Sequence, residues 1–459
     1  MNFNYSDLLL HDETVLLACL KNNGICDFSK IAPIDDIEYL PVVRGGFIAS
    51  LFKGEFSDFS IPKSGIRIFW CKVIGDIDIR GEELRFPVRM EKCYIEGEFD
   101  LGFSKIQNLE LKGTFVRELN ISYIEASGSI VLSYGFKTPN TVHAMGAKID
   151  GQLGCSGGEF CGVPMAIKLE MAQVKEAFFW RLIKGLDGIV DLTSMSVGML
   201  VDDRKSWPDY DKLHIAGFTY EQLGGNTNSS FYDRLDWLKR QTRSHLKEDF
   251  RPQPFEQLIS VLENSGRNSE ATKIAIQKNH YQRNANFLRR NPKLLDLKQQ
   301  KNLEPSIFGK IFLEELINRE AKWSFRNALS LTRASYSWFV SFLFWAIAGY
   351  GYRPLRCLLW LGLIILIGSA CYYNQFVEGN ITFLGDVESQ RTSASFYPIV
   401  FAIDNYIPFL DLGHSSKWAL KEIPNQKLQP FLYTHWFFTF LGWFFAAIFG
   451  ASVTGLVRK

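Results

Sequence analysis

The chain of 459 residues lacks a charge imbalance, paired cysteines and every compact catalytic motif. Its 51 Lys and Arg stand against 49 Asp and Glu, and a net charge of +2 singles out no nucleic-acid or acidic partner. Its 8 cysteines form no Cys-x-x-Cys pair, which excludes the common zinc and dithiol signatures. Six of them precede the apolar C-terminal region, in the part expected in the cytosol, where thiols stay reduced. Cys71 with Cys93 and Cys155 with Cys161 have no histidine spaced to complete a metal site, so buried apolar roles are expected. With no dinucleotide fingerprint, phosphate loop, paired acids or nucleophile triad, neither a cofactor nor an enzyme is expected. Gly154-Cys155-Ser156-Gly157-Gly158 imitates a hydrolase nucleophile elbow, but turn residues and Pro164 follow it where a helix is needed. Near Met1, the residues Asp7, His11, Asp12 and Glu13 interrupt any apolar signal segment, so the first third is expected not to be exported.

Against these absences stand two charge-free apolar runs, Cys357 to Val377 and Trp436 to Val457. A helix rising about 1.5 Å per residue needs roughly 20 apolar residues to cross the hydrocarbon layer, and both runs meet that length. Transmembrane helices are expected over 355–377 and 433–457. Arg353 and Arg356 precede the first, Arg458 and Lys459 close the second, and the connecting loop is net acidic. Basic flanks mark the cytoplasmic side, which places both termini in the cytosol and loop 378–432 outside.

The expected fold class is mixed β and α. An N-terminal cap region (1–63) precedes a parallel β-solenoid (64–203), a helical neck (204–335), then an interfacial helix with the two-span hairpin (336–459). The solenoid is read from a recurring apolar-x-Gly-x-apolar-x-apolar motif at Val73–Ile79, Ile95–Leu101, Ile149–Cys155 and Leu186–Leu192. Copies recur at about 20 to 22 residues, which suits one solenoid coil. The glycine is expected to turn a corner at positive φ, with alternate apolar residues pointing inward.

In the neck, Tyr232 to Leu246 has helical spacing, Pro252 and Pro254 open a helix ended by Gly266, and Asn268-Ser269 caps the next. Lys273, Lys278, Arg283, Arg289 and Arg290 form a cationic belt, a candidate surface for anionic lipid headgroups or for a nucleotide or nucleic-acid ligand. Trp338 to Tyr350 is too short to span and reads as an interfacial helix. Gly349-Tyr350-Gly351 imitates a potassium-channel filter but precedes the first span, so a hinge is expected there.

The second span carries Gly442, Ala446, Gly450 and Thr454 at four-residue spacing, with Ala447, Ala451 and Gly455 beside them, an expected helix-packing ridge between copies of the chain. Phe396 to Leu412 is apolar yet broken by prolines and acids, which fits a re-entrant segment or a hydrophobic loop lying on the outer leaflet or capping the bundle. A ring of Asp404 or Asp411, with Asn405 beside them, is the candidate pore lining.

Several stretches together resemble a bacterial family of pentapeptide-repeat-like membrane proteins, often labelled membrane-associated oxidoreductases. They are the glycine coils, Trp207-Pro208 with Gly217 to Tyr220, Arg234 to Leu238, Pro252 to Leu258, Gly349 to Pro354, and Gly442-Trp443 through Thr454-Gly455-Leu456. The resemblance implies a bacterial inner-membrane location, while the oxidoreductase label finds no supporting motif. A sensor joined to a short hairpin also resembles effectors of anti-phage systems. The expected function is a homo-oligomeric pore, a tetramer in the simplest case, gated by its cytosolic solenoid through a ligand or regulatory protein. The alternative is a membrane-tethered scaffold.

Overall fold

The computed structural model describes residues 9–30, 40–56, 59–225, 230–289, 325–384, 395–420 and 430–454. It contains two compact units, Met1–Ala285 and Asn286–Lys459.

The first unit is a parallel β-solenoid of about seven turns, as the repeats predict. Ile66, Val88, Leu109, Ile130, Leu153, Phe178, Leu200 and Leu223 occupy one position on successive coils, each paired in register with the next. A second ladder runs Ile77, Phe99, Leu119, Val142, Ile167, Val190, Leu213. A third runs Leu84, Ile106, Ala126, Ile149, Val174, Val197, Tyr220. A fourth begins Val43, Val73, Ile95, Val116. All but Leu223 are buried, because strand alternation turns every second side chain inward and the next coil covers it. Each buried Leu, Ile or Phe contributes about 1.5 to 3 kcal/mol, which no isolated coil can collect.

Two expectations need correction. The solenoid does not stop at 203: strand Thr219–Gly224 pairs with Ser196–Asp202 one coil further on, and the cap region already supplies strands Ile25–Asp27 and Val42–Arg44. The interruption at Trp207-Pro208 is an excursion within a coil. Nor do the motif glycines mainly turn corners. Gly75 has φ 79°, but Gly97 and Gly188 are required because the backbone of the preceding coil lies where their Cβ would be. One set of left-handed corners forms its own stack, running Gly81, Phe103, Tyr123, Gly146, Met171, Ser194, Gly217, with φ of 59°, 55°, 58° and 57° at its four non-glycine residues.

Both ends of the coil stack are covered. Helix α1 (His11–Asn23) buries Glu13, which accepts from the Arg44 guanidinium and from the backbone N–H of Leu10 and Arg44. Helix α2 (Gly45–Lys53) adds Ile48, Leu51 and Phe52 to the core. At the other end lie α3 (Phe231–Lys239), α4 (Gln253–Asn264) and α5 (Asn268–Arg289), the helices expected for the neck. Gln253 accepts from the Gly217 N–H and donates to the Phe218 carbonyl, while Gln257 donates to the Tyr220 carbonyl. These side chains satisfy part of the open edge of the last coil, which otherwise invites strand addition. Arg234 of α3 reaches in to Asp202 with two hydrogen bonds of 2.8 Å, and Trp207 Nε1 donates to the same carboxylate at 2.7 Å.

In the second unit, α6 (Phe325–Ala348) ends in three left-handed residues, Gly349, Tyr350 and Gly351, and the chain turns into α7 (Leu355–Val377). The Gly-Tyr-Gly string is thus a helix-to-helix turn. Helix α8 (Pro398–Tyr406) and a small antiparallel pair, Ile381–Phe383 with Trp418–Leu420, lie between α7 and α9 (Pro430–Val453) in the chain.

Asp202 and Arg234 are each about 4% exposed, so Asp202→Ala breaks a buried ion pair and is expected to cost roughly 3 to 5 kcal/mol. Urea unfolding of the detergent-solubilised chain measures this, and the double replacement Asp202→Leu with Arg234→Leu should recover much of the loss.

Candidate functional site

The candidate site is the bundle of α7, α8 and α9. Helices Leu355–Val377 and Phe431–Val453 are 23 residues each, long and apolar enough to cross a membrane. Within their most apolar windows only 33% and 22% of residues are buried. Leu359, Leu363, Leu366 and Ile367 on α7, and Trp436, Phe437, Phe440 and Trp443 on α9, point outward. The core helix of a water-soluble domain buries such residues.

Helix α8 is seated against both. Its Phe401, Ala402 and Tyr406 are buried, and two glycines make room for Tyr406. A Cβ on Gly368 of α7 would collide with the Tyr406 ring and hydroxyl, and a Cβ on Gly442 of α9 with its backbone and Cβ. Gly442 lies near the middle of α9, roughly 18 Å from the Pro430 end at about 1.5 Å per residue. The C-terminal end of α8 therefore reaches mid-height on the apolar helices. Between α7 and α9 the Tyr372 hydroxyl meets His435 Nδ1 at 2.6 Å, and the Tyr372 ring also packs edge-on against Phe401 of α8.

Below Tyr406 the chain turns. Asp404 accepts from the backbone N–H of Leu412 at 2.6 Å, His414 at 2.9 Å and Ser415 at 2.6 Å, so both carboxylate oxygens are engaged in tying the returning segment to α8. Asn405 Nδ2 donates back to the Phe401 carbonyl at 2.8 Å. Asp411 is exposed, and its Oδ1 accepts from the Gly413 N–H at 2.9 Å. The three residues singled out for a pore lining thus divide: Asp404 and Asn405 build the turn, and Asp411 faces out of it. Around Asp411 the side chains of Pro408, Phe409, Leu410 and Leu412 are exposed, Phe409 by 74%.

The expected packing ridge divides as well. Gly442 and Ala446 face into the bundle, whereas Gly450 and Thr454 are exposed, and nothing lies within 4 Å of a Cβ built on Gly450. A step of four residues overshoots one helical turn by about 40°, so the ridge rotates off the inner face. The exposed line is Ala447, Gly450 and Thr454.

The cationic belt is partly consumed in packing α5. Lys273 Nζ sits 5.8 Å from the Phe231 ring centre on α3, Lys278 pairs with Glu256 of α4 at 3.2 Å, and Arg283 lies 3.1 Å from His280 Nδ1. Arg289 is exposed, and Arg290 lies outside the described residues. A groove of about 490 Å³ on the solenoid is lined by Glu83, Lys105, Glu125 and Lys148, whose signs alternate from coil to coil. Lys105 and Lys148 both pair with Glu125, so the groove neutralises its own charge. Among the described residues no group of three or more His, Cys, Asp or Glu is arranged to hold a metal ion, and the thiols of Cys71 and Cys93 stack 3.6 Å apart in the core.

Sequence reasoning missed Tyr372, Tyr406, His435 and Gly368. A tyrosine and a histidine inside otherwise apolar runs were the available signal.

Comparison with protein-family models, curated proteins and solved structures gives no match. The fold and the bundle define the class: a parallel β-solenoid followed by capping helices and an apolar helical hairpin enclosing a short helix.

Gly442→Leu places a large side chain where Tyr406 sits, and overpacking of this kind costs about 1 to 3 kcal/mol. It should lower the melting temperature of the monomeric chain in a dissociating detergent, whereas Gly450→Leu, which meets open space within one copy, should leave that value unchanged. Equal destabilisation by both would contradict the seating described.

Proposed function

We propose that the chain is one subunit of a homo-oligomeric membrane pore, with α7 and α9 crossing the bilayer and α8 entering between them from outside. The turn after Tyr406 carries the proposal. Hydrocarbon does not accept irregular backbone or an exposed carboxylate unless protein or a water-filled path covers them. One copy leaves residues 408–412 uncovered halfway along its apolar helices. A ring of copies supplies the missing cover and makes the 408–412 turn its inner lining. The exposed line of Ala447, Gly450 and Thr454 lets neighbouring helices approach closely.

Arg353 and Arg356 at the start of α7, with Arg458 and Lys459 after α9, support the reading that this side faces the cytosol, in a bacterial inner membrane. The solenoid and its capping helices then form the sensing part, where a regulatory protein or anionic ligand acts. A membrane-tethered scaffold would share the spans but would have no use for a carboxylate at mid-height.

Purified full-length chain reconstituted in planar bilayers should give discrete current steps, and Gly450→Leu should remove most of them while the protein still resists extraction by alkaline carbonate. A wild-type chain that is embedded yet never conducts, in bilayers and in cells carrying a voltage-sensitive dye, would support the scaffold instead.

A further inference from the structure

The turn at the end of α8 leaves backbone oxygen open beside its carboxylates. The last carbonyls of a helix have no partner within it. Here Ile407 N–H takes the Ile403 carbonyl at 3.0 Å, and the next donor in line is missing because residue 408 is proline. The carbonyl oxygens of Asp404 and Asn405 accept no hydrogen bond among the described residues. The Tyr406 carbonyl is turned against Gly442. The same turn carries Asp411, exposed and holding one N–H on Oδ1, and its neighbour Leu412 is tied to the Asp404 carboxylate. From Phe396 to Ser416 the sequence contains no Lys or Arg, and the His414 ring is engaged at Nε2, which accepts from the Tyr397 N–H at 3.1 Å, while the His414 backbone N–H donates to Asp404.

The formal charges of the segment from Phe396 to Ser416, those of Asp404 and Asp411, are both negative. The carboxyl end of a helix carries a partial negative charge, Asp411 adds a formal one, and bare carbonyls are hard oxygen ligands of the kind that replace an ion's hydration shell.

From this geometry we infer that the permeant species are small inorganic cations, met at mid-height by the Asp411 carboxylate and the open Asp404 and Asn405 carbonyls of each copy. This rests on the pore reading above. The Asp404 side chain does not take part, since backbone donors already hold both its oxygens. Pro408 has a defined part in it: any other residue there would bring an N–H able to close the Asp404 carbonyl.

The test is the reversal potential of full-length protein in planar bilayers under a potassium chloride gradient. Wild type should reverse close to the potassium equilibrium potential. Asp411→Asn should move reversal toward zero, Asp411→Lys should carry it to the chloride side, and Asp411→Glu should restore the wild-type value. A conducting wild type that reverses near zero or on the chloride side overturns the inference and leaves the pore standing, and so does selectivity indifferent to the charge at 411. A wild type that never conducts overturns both. The wild-type measurement decides the sign without any substitution, so a variant that fails to assemble cannot protect the inference.

Discussion

Tyr406 rests in a notch that two glycines leave open, and the depth of that notch sets what the rest of the hairpin must do. Gly368 and Gly442 admit its ring and backbone against α7 and α9, so the end of α8 is carried to the middle of two helices clad in Leu, Phe and Trp. Helix α8 cannot continue past Pro408, and the chain has to turn there with its polar groups exposed. In water this would be an ordinary loop. Between helices of this length and apolar character it demands cover, because each unsatisfied backbone group in hydrocarbon costs several kcal/mol. Asp404 meets part of the demand by gathering three returning N–H groups, and in the proposed oligomer the remainder falls to neighbouring copies and the water between them.

The solenoid obeys a related constraint. Its strands are mostly two to four residues long, too short to stand alone, and they persist because every coil lends its backbone and its apolar row to the next. Such a stack has two raw ends. Glu13 with Arg44 closes one, and the other is closed by α4 through Gln253 and Gln257 and by the buried Asp202–Arg234 pair. Polar residues are concentrated where the repeat stops, because there the coil has no further coil to bond with.

Much of this was legible in the sequence for physical reasons. Period-two apolar residues at coil spacing announce parallel stacking, and two charge-free runs announce long apolar helices. The rest depends on three-dimensional placement. That Gly97 and Gly188 serve close approach more than corner turning follows from what lies opposite them, and no local pattern states it. The four-residue ridge on α9 was visible, but its division into an inner pair, Gly442 with Ala446, and an outer pair, Gly450 with Thr454, needs the position of α8. Asp404 and Asp411 look alike in sequence, and only the returning backbone distinguishes them. The last coil went unread because the Trp207-Pro208 excursion breaks the spacing that marks the others.

The most direct measurement is the position of Asp411 in the assembled protein within lipid, determined by electron cryomicroscopy. The account predicts several copies around a common axis, with the 408–412 turns facing a water-filled path near the centre of the bilayer. A single embedded copy, or an assembly whose 408–412 turns face lipid or lie above the outer leaflet, would contradict it.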